Sequence, residues 1–246
     1  MKKRKENRSK KLTLNIALIL FLILFLISSI KIISWTIDNN NSNKIIKTIK
    51  NDIIINKETN KYKIDFDNLK KKNNDTLAFI KINGTNIEYP IVKTTNNDFY
   101  LNHSFDKSPN NAGWPFINYI NKVDGSDKNI TIFAHARRDG SMFGTLYKTL
   151  STEWRNNEEN LKILFITETE TNYYKVFSTY KILEEDYYIK NNFKDEEEYN
   201  SFLTKIKNRS NYEYNINIDK NDRILTLSTC SSDDRYRIVL HAKKLN

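Results

Sequence analysis

Residues 16–27 read Ile-Ala-Leu-Ile-Leu-Phe-Leu-Ile-Leu-Phe-Leu-Ile, an apolar run without one polar or charged interruption. With Leu12, Leu14, Ile30, Ile32 and Ile33 beside it, the stretch reaches about 20 residues, enough to cross a bilayer as a helix. Ser28 and Ser29 can bond their hydroxyls to helix carbonyls, and Lys31 can snorkel to the interface. Trp35 stands where an interfacial aromatic is expected. Lys2, Lys3, Arg4, Lys5, Arg8, Lys10 and Lys11 come before the run, offset only by Glu6. That asymmetry predicts a cytoplasmic tail (1–11), a single membrane anchor (12–33) and the remainder outside the cell. A cleaved signal peptide is the competing reading, but Ser-Ser-Ile-Lys-Ile-Ile-Ser-Trp lacks the small-residue cleavage pattern.

The tail also accounts for the charge. Seven cations less one anion place +6 of the net +10 there, leaving +4 on everything else. No basic motif interleaved with aromatics follows, so a nucleic-acid partner is not expected. The lone cysteine, Cys230, rules out an internal disulfide. A domain of about 170 residues buries roughly 70% of its unfolded surface and needs no such staple. Three scattered histidines and one cysteine have no metal-ligand spacing, so neither metal nor cofactor is expected.

Residues 34–76 are polar, rich in Asn and Lys, and read as a linker with amino-terminal helices. Ile45, Ile46, Ile49 and Ile53 share one helical face, and Phe66 with Leu69 suggests a second short helix. From Leu77 onward the pattern turns to short β-like runs, at 77–82, 87–92, 130–134, 161–166, 173–183, 223–229 and 237–242. Asn83-Gly84 marks a hairpin turn between the first two. A short helix is expected over 141–150. A longer one starts at Asp195 with Glu198 as its capping partner and carries the stripe Tyr199, Phe202, Leu203, Ile206. Many short strands and few helices predict a mostly-β barrel or sandwich over 77–246.

The chemistry concentrates in 225–242, a strand ending in Thr229-Cys230, a polar loop, then a strand opening with arginine. A thiol at a strand end can project into a cleft, and an arginine on the adjacent strand can stabilise an oxyanion there. A free cysteine is often a small core residue instead. Outside the membrane an unpaired thiol invites a functional reason. Of the three histidines, His135 ends an apolar strand before a polar loop, a position suited to proton transfer. His241 lies within the last strand as a packed or surface residue, and His103 sits in an irregular region. Asp233 and Asp234 are read as a solvated turn rather than a third catalytic member.

Thr-Leu-Ser-Thr-Cys at 226–230 and Arg-Ile-Val-Leu-His-Ala at 237–242 resemble the signature strand and arginine strand of the sortases. Ile130-Thr-Ile-Phe-Ala-His135 followed by Ser141-Met-Phe-Gly-Thr-Leu resembles the family's histidine strand. The inserted helix before the cysteine strand and the amino-terminal helices resemble class B. The similarity spans roughly 40–246. It departs at Ala134, where the family generally has Gly; the added methyl is expected to narrow the cleft without abolishing chemistry.

The resemblance implies an eight-stranded β-barrel and a cysteine transpeptidase. Cys230 would be the nucleophile, His135 the proton-transfer partner and Arg237 the oxyanion stabiliser, with Arg235 as the rival arginine. It implies substrate contacts at Ser228, Tyr188, Ile189, Leu101 and Asn97. The partners would be surface proteins bearing an NPQTN-like or LPXTG-like sorting signal and an amine of the cell-wall peptidoglycan. A pilus-polymerising sortase and a non-catalytic surface-binding protein on the same barrel are the alternatives.

Overall fold

The computed structural model describes residues 2–56, 61–230 and 235–245, and the side chains of 10–53, 62–229 and 235–245. Helix α1 (Lys2–Lys50) contains the whole apolar run and continues beyond it. Its part Lys10–Lys50 is long and apolar enough to cross a membrane, with a mean hydropathy of 2.9 in its most apolar window. Ser29 Oγ donates to the Phe25 carbonyl at 2.9 Å and Thr36 Oγ1 to the Ile32 carbonyl at 2.8 Å, which satisfies both hydroxyls within the helix. The helix does not break after residue 33, because 34–50 contain neither Gly nor Pro to stop it.

Two compact units divide the chain, 1–44 and 45–246. In the second, Ile49 and Leu69 are buried in the main core, and Ile45, Ile46 and Ile53 pack against it. The apolar faces of 45–76 therefore belong to the barrel's own unit and are not a free spacer. Helix α2 (Phe66–Lys72) starts where the Asp65 carboxylate accepts the Asn68 amide at 2.9 Å. Before it, β1 (Ile53–Asn56) and β2 (Lys61–Ile64) form an antiparallel pair with Ile53 opposite Ile64, a hairpin the sequence pattern did not reveal.

Eight strands close the barrel. They are β3 (Thr76–Ile82), β4 (Glu88–Val92), β5 (Phe116–Ile117), β6 (Asn129–His135), β7 (Lys162–Thr167), β8 (Thr171–Leu183), β9 (Ile224–Cys230) and β10 (Tyr236–Lys244). The order around the barrel is β10-β8-β7-β3-β4-β5-β6-β9. The β3–β4 turn uses Gly84 at φ +71°, where a Cβ would lie 2.8 Å from the Asn160 side chain. Closure depends on two parallel contacts, β4 with β5 and β6 with β9. Strand β5 escapes a periodicity search because two residues cannot show alternation. The helix expected over 141–150 shrinks to a 3-10 turn, Leu146–Leu150. Met142 ahead of it adopts φ 52°, a left-handed backbone that no helix accommodates.

Helix α3 (Glu196–Asn208) is capped as expected at one end of the box, where Asp195 accepts the Glu198 amide at 2.9 Å. The Glu198 carboxylate reaches past Asp195 to the Lys194 amide at 2.6 Å. The stripe Tyr199, Phe202, Leu203 and Ile206 packs into a cluster with Phe177, Tyr180, Ile224 and Val239.

A buried polar chain runs through this side of the barrel. Asn129 Nδ2 donates to the carbonyls of Tyr188 and Lys190, both at 2.9 Å. Its Oδ1 is left to accept the Thr226 hydroxyl at 2.6 Å. Thr226 Oγ1 then takes the hydrogen of His241 Nδ1 at 2.8 Å, so Nε2 is bare and accepts the Tyr180 hydroxyl at 2.7 Å. Tyr180 in turn accepts from Tyr187 at 3.0 Å. Two carbonyls, which can only accept, fix the direction of every bond.

His241 is fully buried, and desolvation pushes its pKa down to about 3. The folded value lies below the unfolded one, so the unfolded chain binds the extra proton as pH falls. Stability is intact above the unfolded pKa and declines as pH drops toward the folded value. With an unfolded pKa of about 6.5, the loss between pH 7 and pH 5 amounts to about 2 kcal/mol. Urea unfolding of the full-length chain should show that loss, and His241→Gln should remove it. An equal pH slope in both proteins would contradict the buried neutral imidazole.

Candidate active site

Ser228 and Thr229 of β9, Phe133 of β6 and Phe116 of β5 line one open groove of about 510 Å³. Arg237 of β10 also lines it, with Glu184, Glu185 and Asp186. Asn97, Asp98 and Leu101 supply one wall, around the 3-10 turn Phe99–Leu101. Tyr188 and Ile189 supply the other from the 3-10 turn Tyr187–Ile189. The groove thus gathers Ser228, Tyr188, Ile189, Leu101, Asn97 and Arg237, which are scattered over more than half the sequence.

The five expected contact residues differ in how much they offer a ligand. Ser228 is 1% exposed and Tyr188 3%, and their hydroxyls bond each other at 2.9 Å. They form the floor. Leu101 and Ile189 are half-buried on the walls. Asn97, also half-buried, spends its amide on Asn118 Oδ1 at 3.1 Å and its carbonyl oxygen on the Tyr119 amide at 3.0 Å. The Asn129 chain holds the opposite wall through the Tyr188 and Lys190 carbonyls. Asn129, Thr226 and Tyr180 carry no signal in sequence that would mark them as supports of a groove.

His135 and Cys230 are partners in the parallel β6–β9 register, two residues beyond the Phe133–Ser228 pair. The side chain of Cys230 lies outside the described residues, as do Asp233 and Asp234. His135 is half-buried, and its Nε2 meets the Leu101 carbonyl at 2.7 Å. A carbonyl only accepts, so Nε2 carries the hydrogen, and in the neutral ring Nδ1 is the basic nitrogen. Gly113 makes room for this imidazole. At φ +62° it could bear no Cβ without a 3.0 Å contact to His135 Cδ2 and a 2.6 Å contact to the Tyr100 carbonyl. Ala134 does not narrow the cleft as expected. Its methyl is 1% exposed and belongs to the core, because alternation along β6 turns it inward while Phe133 faces the groove.

Arg237 Nη1 donates to the Tyr236 carbonyl at 3.2 Å, and Nη2 pairs with the Glu184 carboxylate. Its side chain is 16% exposed against 64% for Glu184. Arg235 is exposed, precedes β10, and is not among the groove's lining. The β9–β10 ladder ends at Ser228–Val239. Beyond it the Ile238 amide bonds Thr229 Oγ1 at 2.9 Å, so the two strands part around the groove. Two residues past the last rung on each strand come Cys230 and Arg237. An imidazole level with the thiol-bearing position, and a guanidinium lining the groove two residues past the last β9–β10 rung, are the residue types that acyl transfer needs.

A sequence model of the sortase domain matches residues 80–245. Sortase B of Listeria monocytogenes is 34% identical over 180 residues, covering 71% of this chain and 72% of that protein. Sortase B of Staphylococcus aureus is 29% identical over 239 residues, covering 94% and 96%. A solved Staphylococcus aureus sortase B–substrate complex superposes with a TM-score of 0.75 at 28% identity, covering 86% of this chain and 97% of that one. The chain belongs to the sortase family, and within it to the class B cysteine transpeptidases.

Proposed function

We propose that Cys230, His135 and Arg237 carry out the transpeptidation that joins surface proteins to the cell wall. The sulfur of Cys230 attacks the carbonyl carbon of the scissile peptide bond in a carboxy-terminal sorting signal. The C–N bond breaks, His135 delivers a proton to the leaving amine, and a thioester remains. A peptidoglycan amine, losing a proton to His135, attacks the thioester, the C–S bond breaks, and the thiolate returns. Arg237 offers guanidinium hydrogens to the oxygen that gains charge in each step. The observation that carries this reading is the β6–β9 register, which sets His135 level with Cys230, two residues beyond the Phe133–Ser228 pair of a groove that Arg237 also lines. The Staphylococcus aureus sortase B solved as a complex with its substrate supports a sorting-signal substrate for this chain. The basic residues at the start of α1, ahead of its apolar run, support an orientation with the amino terminus inside and the barrel outside.

Full-length protein in lipid nanodiscs, mixed with NPQTN and LPXTG peptides, should form an acyl-enzyme visible by mass. Cys230→Ala should abolish the adduct and all turnover; full cleavage by that variant would overturn the mechanism. Arg237→Ala should lower kcat/KM by about 10²–10³ with little change in KM, the loss typical of one oxyanion donor. A change confined to KM would instead make Arg237 a binding residue.

A further inference from the structure

Beyond α1, the described residues expose only five large apolar side chains, and just two of them, Tyr119 and Ile120, are neighbours in sequence. They are 50% and 39% exposed on the loop that leaves β5. This loop is not loose. The Asn118 amide bonds the Thr131 carbonyl at 2.9 Å, and the Asn121 amide returns to the Asn118 carbonyl at 2.9 Å. Asn121, buried, bonds the Asn129 carbonyl at 2.7 Å and Asp127 Oδ1 at 3.1 Å. Asn97, from one groove wall, holds Asn118 and the Tyr119 amide. Asn191, two residues past Ile189 of the other wall, donates to the Ile120 carbonyl at 3.1 Å. The loop is a shelf strung between the two walls, its backbone already bonded and its apolar side chains turned to water.

Strand register gives the distance to the reactive end. Asn118 is level with Thr131, four positions before His135 on β6, and His135 is level with Cys230. At about 3.3 Å per strand residue, the shelf begins about 13 Å from the cysteine position. An extended peptide held by four residues in the groove would bring its fifth and sixth residues onto Tyr119 and Ile120. The thioester keeps only the amino-terminal half of the substrate while the leaving half departs and the acceptor amine enters. A walled groove serves the half that must be retained.

We propose that Tyr119 and Ile120 form an apolar subsite for the fifth and sixth residues on the amino-terminal side of the scissile bond. This rests on the acyl-transfer reading and extends the specificity of that site past the sorting motif. Large apolar groups on a pre-ordered loop gain contact with little ordering cost, which is what distinguishes a subsite from incidental exposure.

The test is equilibrium binding to full-length Cys230→Ala protein in nanodiscs, followed by fluorescence anisotropy. Peptides share an NPQTN or LPXTG core and differ only in Leu-Leu or Ser-Ser at the fifth and sixth upstream positions. The Leu-Leu peptide should bind about tenfold tighter, the gain expected from partly burying two such side chains. In protein that also carries Tyr119→Ser and Ile120→Ser the two affinities should converge. A preference that survives the double substitution overturns the subsite, as does one that is absent from the start or that follows residues downstream of the scissile bond. Acylation of the unsubstituted chain by the same peptides is read separately by mass. Its absence alongside an intact, shelf-dependent preference would count against the enzymatic reading and leave the subsite standing.

Discussion

One pairing organises the molecule, the parallel run of β6 against β9 from Asn129–Ile224 to His135–Cys230. It closes the barrel and sets the level of the two reactive positions at once. Parallel strands cannot be joined by a tight turn, so the chain between them must be long. Here it spends that length on β7, β8, the Tyr187–Ile189 turn that lines the groove, and then α3 before it enters β9. A slip of β6 by one residue would turn Phe133 away from the groove and bring Ala134 into its place. The residues buried on the core face of the two strands, among them Ile132, Ala134, Leu225 and Leu227, make that slip costly.

The same pairing carries the polar chain that stiffens the groove. Thr226 and Asn129 lie on the two strands and bond each other on the face that the Tyr187–Ile189 turn covers, and His241 on β10 continues the line to Tyr180 on β8. Burying so many polar groups is tolerable only because each has a partner of the right sense. The outcome is a wall whose backbone carbonyls are held from within, which leaves the side chains of Tyr188 and Ile189 to face the groove. A substrate then meets a surface already ordered, and less of the binding energy is consumed in arranging it.

The sequence made the regular parts legible where periodicity was long or punctuation strong. Eleven of the 13 residues of β8, the Asp195 cap and the Asn83-Gly84 turn all announced themselves. Two-residue β5, the β1–β2 hairpin and the left-handed backbone at Met142 did not, since each depends on contacts far along the chain. The Ala134 methyl was misread because its direction follows from strand alternation and not from a family comparison. For the groove, Asn97, Leu101, Tyr188 and Ile189 could be named only through resemblance; nothing local distinguishes them from packing residues. Phe133 was within reach, standing two residues before His135 on the same face of β6.

The ion pair between Arg237 and Glu184 shows what the oxyanion role requires of this groove. A guanidinium with its Nη2 on a carboxylate is oriented before substrate arrives, so little rotamer freedom remains to be lost. Glu184 is mostly exposed, so water competes for its charge and the pair is weak compared with a buried one. An oxyanion forming in a groove sealed by peptide would feel Arg237 through fewer waters than Glu184 does, and Coulomb attraction strengthens as the medium dries. In the proposed reaction the arginine is therefore held by a partner that is easily displaced, and its hydrogens would pass to the developing charge without a rearrangement of β10.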